Sequence, residues 1–425
     1  MGKTLVFILI TSSLLIALTG CAGTVSAGLI ESNKERITSP DVSATEEATL
    51  VDGNTAFAFD LFQELKNEDG NIFYSPYSIS LALAMTYAGA RGETATQMAD
   101  TLHYDLSQDN LHPAFNYLDL ELAKRGEGAK GKDDEGFRLN IVNAIWGQKD
   151  FTFLPEFLNT LAENYGAGLR VLDFVNETEK SRITINDWVS DETEERIKDL
   201  IPPGQLVAAT RLVLTNAIYF NAAWQYQFEE SLTSDSPFHL LNGQDVTVPM
   251  MKQTESFGYT AGEGYQAVEQ QYDGGELSMV IILPDSVEYD SFEDRLSAEK
   301  ANEIINSLHY TQVELAMPKF EFESEFKMRD TLSQMGMPVA FSLGADFSGM
   351  TGEKDLYIDQ VIHKAFVSVD ETGTEAAAAT AVDMKLTSEP AEPVKVTINH
   401  PFIFFIRDIE TSTILFVGRI MNPVN

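Results

Sequence analysis

Apolar residues recur at helical spacing between Asn54 and Leu65, where Phe57, Leu61, Phe62 and Leu65 share one face. The run Asn71-Ile-Phe-Tyr-Ser-Pro76 breaks that pattern. Ser78 then stands where it can cap a second helix through Ser80–Ala90, rich in Ala, Leu and Met. Gly92-Glu93-Thr94 reads as the entry to a third helix. A polar stretch, Lys124–Glu135, separates these helices from a strand-like Leu139–Trp146. Further on, Arg211–Phe220, Leu277–Leu283, Val313–Met317, Val394–Ile398, Phe402–Ile406 and Ile414–Val417 are apolar, partly β-branched runs of buried-strand length. Helices dominate the first half and strands the second, which predicts an α+β layout rather than alternating βαβ units. No proline or glycine break isolates a segment with a core of its own, so one large domain is expected over 49–425.

The N-terminus follows a different pattern. One cation, Lys3, precedes an apolar run from Leu5 through Leu18 that is too short for a convincing membrane span. It ends in Leu18-Thr19-Gly20-Cys21. Small residues before a cysteine resemble a lipoprotein signal, in which the peptide is cut before Cys21 and the thiol carries lipid. The other reading is an ordinary secretory signal with a cysteine at its end. Both treat residues 1–20 as a signal peptide and expect an extracellular or cell-surface protein, in contact with a membrane only through a lipid anchor. Residues 21–48 are rich in Ser, Thr, Glu and Gly with little apolar periodicity, and are expected to form a flexible tether.

Charge narrows the field. Among 425 residues, 29 are Lys or Arg and 65 are Asp or Glu, a formal net charge of −36. That balance leaves no basic face to neutralise phosphates, so nucleic acid is not expected as a partner. The acidic excess reads either as a solubilising surface or as adaptation to high salt. With Cys21 as the one cysteine, an intrachain disulfide and a multi-cysteine zinc site are both excluded.

Catalytic signatures are scarce. The chain has no G-x-S-x-G elbow, H-E-x-x-H, P-loop or EF-hand spacing. The histidines His103, His112, His239, His309, His363 and His400 include no pair at helical metal-ligand spacing, and no metal or cofactor is expected. Gly126-Glu-Gly-Ala-Lys-Gly131 matches G-x-G-x-x-G only formally, without a preceding strand, and reads as a solvated loop. Asn176-Glu-Thr178 is a glycosylation sequon and a surface-loop hint. Acidic residues are too numerous for any carboxylate pair to be diagnostic of a glycosidase.

The informative segment lies near the C-terminus, His363-Lys-Ala-Phe-Val-Ser-Val-Asp-Glu371-Thr-Gly-Thr-Glu-Ala-Ala-Ala-Ala-Thr-Ala-Val382. Propensity alone reads Glu375–Ala379 as helix. A period of two reads differently. One face holds Thr374, Ala376, Ala378, Thr380, Val382, Met384 and Leu386, and the other holds Glu375, Ala377, Ala379, Ala381, Asp383 and Lys385. All the charge is on the second face. Such a segment is compatible with two states, an exposed loop and a strand buried in a sheet with its first face on the core.

This segment resembles the reactive-loop hinge of the serpins, a large family of serine-protease inhibitors. The resemblance runs from about Asn54 to Pro423. Asn71-Ile-Phe-Tyr-Ser-Pro-Tyr-Ser-Ile-Ser80, Thr215-Asn-Ala-Ile-Tyr-Phe-Asn-Ala-Ala-Trp224, Phe341-Ser-Leu-Gly-Ala-Asp-Phe-Ser-Gly-Met350, His400-Pro-Phe-Ile-Phe-Phe-Ile406 and Phe416-Val-Gly-Arg-Ile-Met-Asn-Pro423 carry it, in the family's order. It implies a serpin-like domain with a central mixed β-sheet, surrounding helices and an exposed reactive loop at about 371–393. It also implies a monomer that is not an enzyme but a suicide substrate. The protease cuts the loop and is held as an acyl-enzyme, and the loop inserts as a strand, a mechanism known from the family.

By the same resemblance the hinge comprises Glu371, Gly373, Thr374, Glu375, Ala376, Ala377, Ala378 and Ala379. Ser75, Ser78, Asn216 and His363 form a polar cluster beneath the sheet where its strands part, and Trp224 marks where insertion begins. Counting Glu371 as the first residue, the seventeenth is Thr387, so the bait bond is Thr387–Ser388. Leu386 and Lys385 are the alternatives, because the following segment is longer than usual. Thr387 or Leu386 would suit elastase-, subtilisin- or chymotrypsin-like proteases, and Lys385 a trypsin-like one. No basic stripe for a polyanion is evident. The competing functional readings are a non-inhibitory serpin acting as an envelope binding protein and an unrelated secreted hydrolase.

Overall fold

The computed structural model describes residues 27–129, 137–374 and 392–424. The helices are α1 (Ala44–Leu65), α2 (Pro76–Tyr87), α3 (Gly92–Leu102), α4 (Gln108–Leu122), α5 (Pro155–Tyr165), α6 (Thr178–Glu192), α7 (Tyr289–Arg295), α8 (Ala298–Ser307), α9 (Met328–Met335) and α10 (Ser348–Thr351). The strands are β1 (Gly28–Ile30), β2 (Ile72–Tyr74), β3 (Arg138–Gln148), β4 (Leu169–Leu172), β5 (Leu212–Ala223), β6 (Ser234–His239), β7 (Asp245–Gly262), β8 (Tyr265–Gln271), β9 (Leu277–Pro284), β10 (His309–Pro318), β11 (Phe320–Lys327), β12 (Gln360–Val369), β13 (Gly373–Thr374), β14 (Val394–Thr397), β15 (Phe402–Asp408) and β16 (Ile414–Ile420). The α+β expectation holds. Apart from Arg211 and Ile398, which lie just outside β5 and β14, the predicted apolar runs fall on strands, most of which extend beyond the run.

Two sheets organise the molecule. The central sheet has the order β1-β4-β3-β5-β13-β12-β11, and β5 also pairs directly with β12. The second runs β14-β10-β7-β8-β9-β15-β16-β2, with β6 against β7. One large apolar cluster joins the two sheets and the helices α1, α2 and α4. A smaller one, including Trp146, Ile185, Val189 and Val213, fills the space between α6 and the central sheet.

The N-terminal stretch corrects the sequence expectation. Residues 27–48 were expected within a tether, yet Gly28–Ile30 pairs antiparallel with Leu169–Val171 and adds an edge strand to the central sheet. Arg36 donates to Asn116 Oδ1 at 2.8 Å and to Asp119 Oδ2 at 2.5 Å. Helix α1 starts ten residues before Asn54, at Ala44, because Ser43 and Glu46 form a reciprocal capping box (Glu46 N–H to Ser43 Oγ 3.3 Å, Ser43 N–H to Glu46 Oε2 2.8 Å). Edge pairing and caps are made by backbone groups and short polar side chains, which hydrophobic periodicity does not register.

Helix α2 also differs at its start. Its cap is Ser75, whose hydroxyl accepts from the Ser78 N–H at 3.2 Å, with Pro76 at the first helical position. Proline suits that position because its missing N–H would have no intrahelical partner. Ser78 is therefore inside the first turn, and its hydroxyl is free for another role.

Candidate functional site

The centre of the molecule is a half-filled slot between β5 and β12. These strands run parallel and pair directly from Gln360↔Val213 to Ala365↔Ile218. Beyond that point they separate, and β13 lies between them. Thr374 pairs antiparallel with Ala222 on one side and with Val369 on the other, and Gly373 pairs with Ala223. Thr374, the first residue of the predicted inserting face, and Gly373 before it are thus already rungs of the sheet.

A tight turn delivers them there. The Asp370 carboxylate accepts from the Thr372 N–H at 3.0 Å and hydroxyl at 2.8 Å, and the Asp370 N–H donates to the Gly373 carbonyl at 3.0 Å. Chain direction therefore reverses immediately after β12. Gly373 passes so close to β5 that a Cβ there would lie 2.2 Å from the Ala222 carbonyl oxygen. Only glycine fits without displacing the rung.

Trp224 braces the turn. Its N–H donates to the Thr372 carbonyl at 2.8 Å and its indole N–H to the Asp370 carbonyl at 3.0 Å. Glu371 is buried at the same end, its carboxylate accepting from Lys319 Nζ at 2.6 Å and from Thr233 Oγ1 at 2.7 Å. Burial works to raise its carboxyl pKa. The bonds from Lys319 and Thr233 outweigh that and hold it below the ordinary carboxylate value. The Thr374 side chain turns to the core, where its hydroxyl meets the Tyr272 hydroxyl at 3.0 Å. The Tyr272 ring lies flat on Trp224, centroids 4.6 Å apart.

Below the slot, where β5 and β12 pair directly, the structure brings Ser75, Ser78, Asn216 and His363 together. Asn143 on β3, Asn216 on β5 and His363 on β12 occupy one row across three adjacent strands. Asn216 donates from Nδ2 to Ser78 Oγ at 2.5 Å and to Asn143 Oδ1, and its Oδ1 accepts from His363 Nδ1. His363 Nε2 accepts from the Ser75 N–H at 3.2 Å. Burial lowers the imidazole pKa from 6.5 to about 3, so the ring is neutral. Ser75 offers His363 its backbone N–H and not its hydroxyl, and Ser75, Ser78, Asn216 and His363 are all shut off from solvent. A serine nucleophile with a histidine base is therefore not formed here.

Asn143 and Tyr272 escaped the sequence reading. The polar Asn143 inside the apolar run Leu139–Trp146 was a usable signal, since a buried strand carries an amide only where a partner waits. Tyr272, immediately before the turn Asp273–Glu276, gave none. Cys21, Glu375, Ala376, Ala377, Ala378, Ala379, Lys385, Leu386, Thr387 and Ser388 lie outside the described residues.

Comparison with known proteins agrees with this geometry. A family model described as serpin (serine protease inhibitor) matches residues 52–423. An uncharacterised serpin-like protein of Thermococcus kodakarensis is 43% identical over 380 residues, covering 89% of this chain and 87% of its own length. The leukocyte elastase inhibitor of Homo sapiens is 40% identical over 387 residues, covering 88% of this chain and 99% of its own. Among solved structures, the native state of the thermophilic serpin tengpin superimposes with a TM-score of 0.81 at 30% identity, over 94% of this chain and all of that one. A hinge seated at the mouth of a parallel-strand slot, above a buried Ser–Asn–His cluster and within this shared architecture, places the chain in the serpin family, whose members are protease inhibitors and not enzymes.

Proposed function

We propose that this protein is an irreversible inhibitor of serine proteases that works by loop cleavage, acyl-enzyme trapping and strand insertion. The observation that carries this reading is the Gly373–Thr374 ladder between β5 and β12. Because β5 and β12 are parallel, an incoming strand can pair antiparallel with both. Continued in the register of Thr374, insertion would set Ala376 opposite Phe220 and Ala378 opposite Ile218, and Thr380 between Asn216 and His363. Small side chains would meet the core, and a hydroxyl would arrive at the polar row. The charged face, Glu375, Asp383 and Lys385, would point away from it. A loop inserted from Thr374 to about Thr387 would carry a bound protease roughly 45 Å, at about 3.3 Å per residue.

The target class we infer is elastase-like, subtilisin-like or chymotrypsin-like. Thr387 or Leu386 at the bait bond suits the pockets of such proteases, and relatives 40–42% identical bear the name leukocyte elastase inhibitor. We further propose export and anchoring through lipid on Cys21. With the chain docked from Gly28 onward, only about six residues would link the anchor to the body, a reach of about 20 Å. The test is incubation with elastase, subtilisin, chymotrypsin and trypsin, followed by denaturing electrophoresis and mass spectrometry of the released C-terminal peptide. A complex that survives boiling in detergent, with cleavage after Thr387, Leu386 or Lys385, is expected. Clean cleavage without complex by all four would overturn the inhibitory reading in favour of a non-inhibitory binding protein.

A further inference from the structure

We propose that Tyr272 is the positioning residue that seats the loop hinge one rung into the central sheet and sets the register from which insertion runs, an inference that rests on the inhibitory reading above. Tyr272 is fully buried just beyond β8. Its ring has no freedom to swing, being stacked on Trp224 at 4.6 Å and 12° and held edge-on by Phe220 at 5.1 Å and 82°. Its backbone is pinned as well, by an isolated bridge to Trp224 and by its N–H to the Leu277 carbonyl at 2.9 Å. A clamped ring aims its hydroxyl at one point, and Thr374 Oγ1 occupies that point at 3.0 Å.

Both hydroxyls are buried, so each depends on the other. Withdrawing Thr374 from the slot would leave the phenol unpaired in a wall of aromatic rings, which is unfavourable. A slip of one residue would present Gly373, with no hydroxyl, or Glu375, with a carboxylate, to the same phenol. The Tyr272–Thr374 bond therefore selects a seated hinge in the register that pairs Thr374 with Ala222 and Val369. After acylation the loop extends an existing rung instead of nucleating one, which favours insertion in its race with deacylation.

Tyr272→Phe removes only the hydroxyl and keeps the stacked ring. The expected result is a hinge seated less often, with the moles of inhibitor consumed per mole of protease trapped rising by up to about five-fold, the equivalent of one buried hydrogen bond. Thr374→Val should match it, the double variant should be no worse than either single one, and Thr374→Ser should restore the parent ratio. Amide exchange at Gly373 and Thr374 in the uncleaved protein should accelerate in Tyr272→Phe. If the parent traps no protease, the inhibitory reading fails, and the exchange measurement alone decides the seating role. Parent-like exchange at Gly373 and Thr374 in both Tyr272→Phe and Thr374→Val overturns the proposal, whatever happens to the unfolding temperature. So does parent-like partitioning in both variants when the parent does trap protease.

Discussion

His363 and Asn216 stand directly opposite each other across the parallel pairing of β5 and β12, joined by the imidazole Nδ1–H and the amide oxygen. The two strands that separate above this row are therefore tied together at it by side chains as well as by backbone. A strand entering the slot would have to replace that bond. The row lies directly below the seated hinge, and its protonation state bears on stability.

Acid should weaken the protein through this row. In the folded state Nδ1–H donates to Asn216 and Nε2 accepts from the Ser75 N–H, so a proton on Nε2 would set two donors against each other. The folded pKa is about 3, against an ordinary value of 6.5. Above pH 6.5 neither state is protonated and there is no effect. As pH falls from 6.5 towards 3 the unfolded chain takes up a proton that the folded one refuses, so stability falls by about 1.4 kcal/mol per pH unit at most. His112, lowered to about 4 by burial and by Arg91, adds a second contribution over pH 6.5 to 4. Unfolding free energies at pH 7, 5 and 4 should decline more steeply for the parent than for His363→Gln. Parallel slopes would contradict the assignment.

Cleavage near Thr387 should raise the unfolding midpoint by tens of degrees. About ten new ladder bonds at about 1 kcal/mol net each, with burial of the inserting face, supply the difference. Thr380→Val should leave the native form unchanged and lower the midpoint of the cleaved form, because the register places this hydroxyl between Asn216 and His363. Calorimetry of both forms checks it. An identical cleaved midpoint would mean that insertion stops short of the row or follows another register.

Thr374→Arg should turn the inhibitor into a substrate. The native position is buried against Tyr272, so a guanidinium there would be driven out of the slot, and insertion would begin without its first rung. Gly373→Ala should act in the same direction through its clash with the Ala222 carbonyl. Glu375→Arg, on the face expected to point outward, should be mild. The ratio of cleaved inhibitor to covalent complex, measured against one protease, distinguishes them. Efficient trapping by Thr374→Arg would refute the assignment of faces.

Cys21→Ser should release the protein from the membrane fraction, and fractionation of cells expressing either form reads this directly. Because the body is docked from Gly28, deleting residues 27–37 should lower the unfolding midpoint, whereas removal of a loose tether would not. An unchanged midpoint would show that the edge strand contributes nothing to stability.

Much of the molecule can be read from local pattern because local pattern reports burial. Runs such as Leu277–Leu283 and Phe402–Ile406 have few other uses than as buried strands, and the two-residue period from Thr374 to Leu386 already separates a core face from a charged one. The sequence likewise shows a hinge built from small side chains, and resemblance names Ser75, Ser78, Asn216 and His363. What it does not contain is which distant residues meet. Asn143 joins the polar row only because β3 and β5 pair in one register, and Tyr272 reaches Thr374 only because a turn returns the chain beside Trp224. The N-terminal strand is decided by an exposed sheet edge more than a hundred residues away, through backbone bonds that almost any sequence can make. Whether the hinge is out or seated is likewise a balance between the slot and solvent, and only the packed sheet, with its parted strands and waiting phenol, tips it.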